Sequence, residues 1–208
     1  EIVLDAQSYE HLDPSLSIEL GIQTVHQEHQ NQLVAELTVA ENIFLYDLPK
    51  ARFGLIDYRR VFSDAQELLD RLGIEISPRA RLGNLTFIEK KLITIAKAFS
   101  RKAKVLILDE PTASLDDHGK EILFDVIRKN AAPGFSVIYI SHNLGEIFEV
   151  CDRVTILKDG RKVDVHAVDE VKMDDVVQEM IGQETTSLYV RESSERVEEQ
   201  PVFEVRGY

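Results

Sequence analysis

The segment Val105-Leu106-Ile107-Leu108-Asp109-Glu110-Pro111 constrains the fold of this chain more than any other. Four consecutive apolar residues leave no polar face, so they predict a strand buried on both sides, as in a parallel sheet covered by helices. Pro111-Thr112 breaks that strand. A second buried run, Phe135 to Ile140, ends at Ser141-His142. Between the two runs, Ile122, Leu123, Val126 and Ile127 fall on one side of a helix. A short helix follows, then Val154-Thr155-Ile156-Leu157 and the hairpin turn Asp159-Gly160, leading into Arg161-Lys162-Val163. Strand, helix, strand, helix in this order predicts right-handed parallel βαβ units, hence an α/β fold.

Upstream, Glu1 to Asp5 and Gly21 to Gln27 read as strands, and the stretch from about 36 to 100 as helical. Ser63 with Gln66 and Thr86 with Glu89 have the spacing of helix-opening capping boxes. Ala65, Leu68, Leu69 and Leu72 form one apolar face, and Ile88, Leu92, Ile95, Ala96 and Phe99 another. A helix near Asp174 to Ile181 closes the globular part. Residues 183–200 carry five Glu and two Arg with almost no apolar periodicity, and read as an acidic linker.

Composition narrows the function. The chain has 208 residues, 24 Lys+Arg and 37 Asp+Glu, for a net charge of -13. That balance argues against a nucleic-acid partner, because phosphate backbones need clustered Lys and Arg. A hydrophobic share of 44% supports a folded core. The apolar runs are too short to span a membrane. A single cysteine, Cys151, cannot form an internal disulfide, and it reads as a small core residue. The first residue is Glu1, which reads as a piece of a longer chain.

Asp109 and Glu110 carry the sharpest chemical signal. Ligands of α/β sheets bind at the carboxyl ends of strands. A carboxylate there can hold Mg2+, and its neighbour can orient an attacking water. A pair of acids at a strand end is also an ordinary solvated feature. The next parallel strand, however, delivers His142 to the same edge of the sheet. His11, His118 and His166 are scattered, and His26 and His29 lack a third ligand, so no His- or Cys-based metal site is expected.

At these residues the chain resembles the nucleotide-binding cassette of ABC (ATP-binding cassette) transporters. Val105 to Thr112 is similar to the Walker B strand, Ser114-Leu115-Asp116 to the D-loop, Ile140-Ser141-His142 to the switch-histidine strand and Val25-His26-Gln27-Glu28 to the Q-loop. His26-Gln27-Glu28, Ala40 to Leu45, Gly54-Leu55-Ile56-Asp57 and Ile95 to Ala98 resemble importers of simple sugars such as ribose and galactose. The resemblance implies a P-loop NTPase-like, mostly parallel sheet flanked by helices, with a helical subdomain over about 28–100 and a short C-terminal hairpin. It implies a cassette over 1–182, a linker over 183–200 and the start of a second cassette over 201–208. It further implies ATP and Mg2+ as cofactors. Asp109 and Gln27 would serve the metal, Glu110 the attacking water, His142 the γ-phosphate, and Thr86, Ser114 and Asp116 the nucleotide or a dimer interface. The implied partners are a second cassette, a membrane-spanning permease and, indirectly, a periplasmic or extracellular sugar-binding protein. The implied place is the cytoplasmic face of a membrane.

The pattern departs from the family in two places. No Gly-x-x-x-x-Gly-Lys-Ser/Thr loop occurs; Gly119-Lys120 follows the acid pair and reads as the start of an ordinary helix. Without that loop the backbone N–H cradle for phosphates is missing, and a sheet lacking its strand has unpaired edges. The signature stretch is Leu85-Thr86-Phe87-Ile88-Glu89, where Ile88 replaces a glycine that lets backbone approach phosphate. Thr86 is then either a residual phosphate donor or simply half of a capping box. A non-catalytic module for dimerisation or docking is the alternative to an ATPase. An ABC ATPase acting on DNA or ribosomes is disfavoured by the acidic balance.

Overall fold

In a computed structural model of the chain, residues 1–25, 33–46, 48–49, 55–101, 103–131 and 134–181 are described. Gln27, Gly54, the linker and residues 201–208 lie outside them. The chain divides into two units, Glu1–Cys151 and Asp152–Tyr208.

The first unit opens with a hairpin of β1 (Ile2–Leu4) and β2 (Gln7–Tyr9). Its two-residue turn places Asp5 and Ala6 at φ 50 and 62, the left-handed geometry that matches strand twist. Helix α1 (Pro14–Glu19) starts on Asp13, whose carboxylate accepts from Leu16 N–H at 2.8 Å, with proline in the first turn. The sheet consists of β3 (Ile22–Val25), β4 (Val105–Asp109) and β5 (Ser136–Ile140), all parallel, in the order β3-β4-β5.

Register decides which side chains share a face. Val25, Leu108 and Tyr139 align across the sheet, as do Gln23, Leu106 and Val137. This face joins the core with α4 (Phe87–Ser100) and α5 (Asp117–Asn130). The opposite face, carrying Thr24, Ile107 and Ile138, is only half covered at β4 and open at β5. The expectation that both apolar runs are buried on both sides is therefore corrected. Ile138 and Ile140 are 50% and 47% exposed, because no described element packs over that face of β5. A continuous apolar run specifies a strand; it does not specify what covers it.

Between β3 and α4 the described residues form α2 (Val39–Ile43), α3 (Tyr58–Leu72) and a 3-10 turn, Leu82–Asn84. Helix α2 opens on a capping box of Thr38 and Glu41. Helix α3 opens on Asp57, not on Ser63: the Asp57 carboxylate accepts from Arg60 N–H at 3.1 Å, and Ser63 lies inside the helix. Gln66 pairs instead with Asp70 one turn on. Gly73 ends α3 in the left-handed conformation, φ 71. Val61, Ala65, Leu68, Leu69 and Leu72 are buried as the periodicity predicts, each large side chain contributing about 2 kcal/mol of apolar burial. In α4, Leu92, Ile95 and Ala96 are buried, with Ile88 and Phe99 at the margin of the core. Helix α6 (Leu144–Val150) ends this unit, with Cys151 at its C-terminus.

The second unit is described over 152–181. It is an antiparallel hairpin, β6 (Arg153–Lys158) and β7 (Arg161–Ala167), with α7 (Met173–Ile181). Asp159 and Gly160 form the tight turn at φ 50 and 73, as Asp-Gly predicts.

Candidate functional site

The site is built at the carboxyl ends of β4 and β5. Asp109 closes β4 opposite Ile140. The next residue, Glu110, sits at φ 45, a conformation that strains any residue with a Cβ. Its backbone N–H donates to the Ile140 carbonyl at 2.9 Å, which extends the ladder by one bond and fixes the bend. Ala113 N–H returns to the Glu110 carbonyl. The turn brings the Glu110 carboxylate to His142, with Nδ1 2.9 Å from Oε1. This hydrogen bond, and then the carboxylate charge, raise the imidazole pKa above its ordinary value. A carboxylate can only accept, so Nδ1 carries the proton. The His142 side chain is 82% exposed and Glu110 30%. The pair thus faces solvent, where a ligand can reach it.

Two further residues of the constellation turn toward their own elements. Asp116 caps α5, its Oδ1 accepting from Gly119 N–H at 2.8 Å. A Cβ on Gly119 would meet that oxygen at 3.0 Å, so the glycine makes room for the cap. Lys120 lies in the first turn of this helix, as expected for Gly119-Lys120, and pairs with Glu146 at 3.5 Å. Thr86 opens α4 in a complete capping box: its N–H and hydroxyl both donate to Glu89 Oε2, at 2.7 and 2.8 Å. Its hydroxyl proton is therefore held by Glu89. Ser114 lies in the loop after Glu110 at φ 69.

Three arrangements are not legible in the sequence. The first is a buried network around Glu146, for which Thr112, two residues past Glu110, was the faint signal. The second is Lys91, 1% exposed inside α4, whose ammonium donates to the Pro111 carbonyl. The third is Asp164, His166 and Glu179 in the second unit, brought together because β7 alternates and α7 lies on β6. There His166 Nε2 lies 2.9 and 3.1 Å from the Glu179 oxygens. Asp164 accepts from the neighbouring Val165 N–H at 2.7 Å.

A cleft of about 360 Å³ between α5 and α6 is lined by Asp117, Glu121, Glu146 and Glu149 against Lys120. Four carboxylates to one ammonium repel a polyphosphate, so this cleft is not the nucleotide site.

Comparison with known proteins places these observations. The profile of the ABC transporter family matches residues 1–113. The ribose import ATP-binding protein RbsA 1 of Rhizobium meliloti is 42% identical over 188 residues, covering 90% of this chain and 37% of that protein. The arabinose import ATP-binding protein AraG 1 of Burkholderia cenocepacia is 39% identical over 189 residues, with coverage of 90% and 37%. The chain thus spans little more than a third of the length of these relatives. An ATP-binding cassette of an ABC transporter solved in its ADP conformation superposes with a TM-score of 0.69, at 20% identity, covering 87% of this chain and 76% of that one. The family profile, which matches more than half of the chain, shows that it belongs to the ABC transporter family, and the fold agrees.

Proposed function

We propose that this chain is part of the ATP-hydrolysing subunit of an importer for simple sugars. The single observation that carries the reading is the 2.9 Å contact between Glu110 and His142 at adjoining strand ends. The names of the relatives, ribose and arabinose import ATP-binding proteins, support the substrate class. The Asp109 carboxylate suits a hard divalent cation, the Glu110 carboxylate an attacking water, and an exposed, protonated imidazole a phosphate oxygen. The residues present therefore fit the metal and γ-phosphate side of a nucleotide site. The backbone cradle for the remaining phosphates is not encoded in this chain.

Mg2+ and ATP, when bound, supply the transferable phosphoryl group and the charge that balances it. Asp109 would hold the hydrated cation through its carboxylate. Glu110 orients a water and accepts its proton. His142 would hold the Glu110 carboxylate through Nδ1–H, and as the imidazolium that this carboxylate favours it would offer Nε2–H to a phosphate oxygen. Ser114 and Asp116 lie on the loop that a second cassette would meet, and Gln27 would couple the metal to a permease. Positioning and charge stabilisation are most of what phosphoryl transfer requires of a protein. The subunit would work at the cytoplasmic face of a membrane, with a permease and a sugar-binding protein. No helix among the described residues is long and apolar enough to cross the membrane itself.

A second reading, a non-catalytic module that dimerises or docks, is favoured by Ile88 and by the engagement of the Thr86 hydroxyl with Glu89. Titration with a fluorescent ATP analogue and a phosphate-release assay separate the two. The 208-residue chain should bind the analogue more weakly than about 10 μM, since it lacks the cradle. The product of the full reading frame should hydrolyse ATP, and Glu110→Gln should slow it about 100-fold or more. An unchanged rate in Glu110→Gln would sink the ATPase reading.

A further inference from the structure

Glu146 is almost fully buried on α6, with 7% of its side chain exposed, yet every contact it makes leads back to the candidate site. Oε2 accepts from the Thr112 hydroxyl at 2.6 Å, from Tyr139 at 3.0 Å and from Ser141 at 3.2 Å. Oε1 accepts from Asn143 Nδ2 at 3.2 Å and faces the Lys120 ammonium at 3.5 Å. Thr112 stands two residues after Glu110. Ser141 and Asn143 flank His142. Lys120 rides on the helix that Asp116 caps. One carboxylate therefore ties together the three segments that carry Glu110, His142 and Asp116.

We propose that Glu146 is a positioning residue, the hub that holds the strained Glu110 turn and the His142 strand end at hydrogen-bonding distance. The strain explains why a hub is needed: Glu110 at φ 45 persists only if its surroundings over-determine it. The hub is well made. Burial pushes the Glu146 carboxyl up, but the three hydroxyls and Lys120 more than reverse this and leave it below the usual carboxylate range. It stays ionised, and an ionised carboxylate has the lone pairs to accept these four hydrogen bonds while facing the Lys120 ammonium. The significance of the hub for turnover rests on the ATPase reading above; its geometric claim does not.

The test reads the Glu110–His142 contact directly, by NMR titration of the histidine rings in the 208-residue chain. His166, in the other unit, is the internal standard. Thr112→Val removes one donor and leaves the Glu146 charge in place. Glu146→Gln sets an amide donor against Asn143 and Lys120. Glu149→Gln removes a neighbouring charge from the same helix outside the network. The proposal expects Thr112→Val, which leaves the Glu146 charge in place, to lower the His142 midpoint toward its ordinary value by roughly half a unit or more; Glu146→Gln should lower it further, because it also removes a charge that acts on the imidazole directly. His166, and His142 in Glu149→Gln, should not move. A His142 midpoint unchanged in Thr112→Val, in protein with a native circular dichroism spectrum, overturns it. So does an equal fall in Glu149→Gln, which would reduce the effect to bulk charge. Failure of nucleotide binding would remove the ATPase reading while leaving this readout intact.

Discussion

Lys91 sits on α4 with 1% of its surface exposed, and its ammonium donates to the carbonyl of Pro111. Its tip also lies 5.3 Å from the centre of the Phe87 ring. Burial lowers its pKa from 10.5 to about 8. At pH 7 the amine is charged in both folded and unfolded chains, and the folded one bears the cost of a buried cation. Above about pH 8 the folded protein releases a proton that the unfolded chain keeps until about 10.5. Stability therefore rises with pH across that window. Lys91→Met should raise the unfolding free energy at pH 7 by about 1 to 2 kcal/mol, net of the lost hydrogen bond to Pro111. Its advantage should shrink as the pH passes 8. Urea unfolding of both proteins at pH 7 and pH 9.5 checks the sign and the convergence.

Elements differ in how far their sequence announced them. The capping box of Thr86 and Glu89 and the Asp159-Gly160 turn are formed as the residues predict, because each is decided by neighbours within four positions. Ser63 misled because Ser-x-x-Gln also occurs inside helices, and Asp57 supplies an earlier cap. The Glu110–His142 contact was legible through topology: two successive parallel strands bring their ends to one edge. The Glu146 hub was not, since its partners come from residues up to 34 apart and each is an ordinary hydroxyl, amide or ammonium on its own. Burial of β5 was misjudged because an apolar run carries no record of its cover. That difference has a measurable form. Leu69→Ala, on the fully buried face of α3, should cost about 3 kcal/mol. Ile138→Thr, half exposed on β5, should stay within about 1 kcal/mol. Comparable losses from both, measured by denaturant unfolding, would mean that β5 is covered in solution.

At the scale of the whole molecule, the three-stranded sheet ends abruptly at β5, which pairs with β4 along one edge and with no other strand among the described residues. Ser136 N–H donates to the Lys104 carbonyl at 2.8 Å, and the parallel register turns Ser136, Ile138 and Ile140 toward β4. Alternation then turns the amides of Val137 and Tyr139 outward. In deuterated buffer the strand should behave as two interleaved populations. Ser136, Ile138 and Ile140 should retain their protons together with β4, while Val137 and Tyr139 should lose theirs orders of magnitude sooner. Residue-resolved exchange of the 208-residue chain would record this comb. Uniformly slow exchange along β5 would mean that its outer edge is occupied. The same pattern turns β5 into a built-in reporter: any segment that joins the sheet at that edge, from this polypeptide or another, would announce itself by silencing two amides.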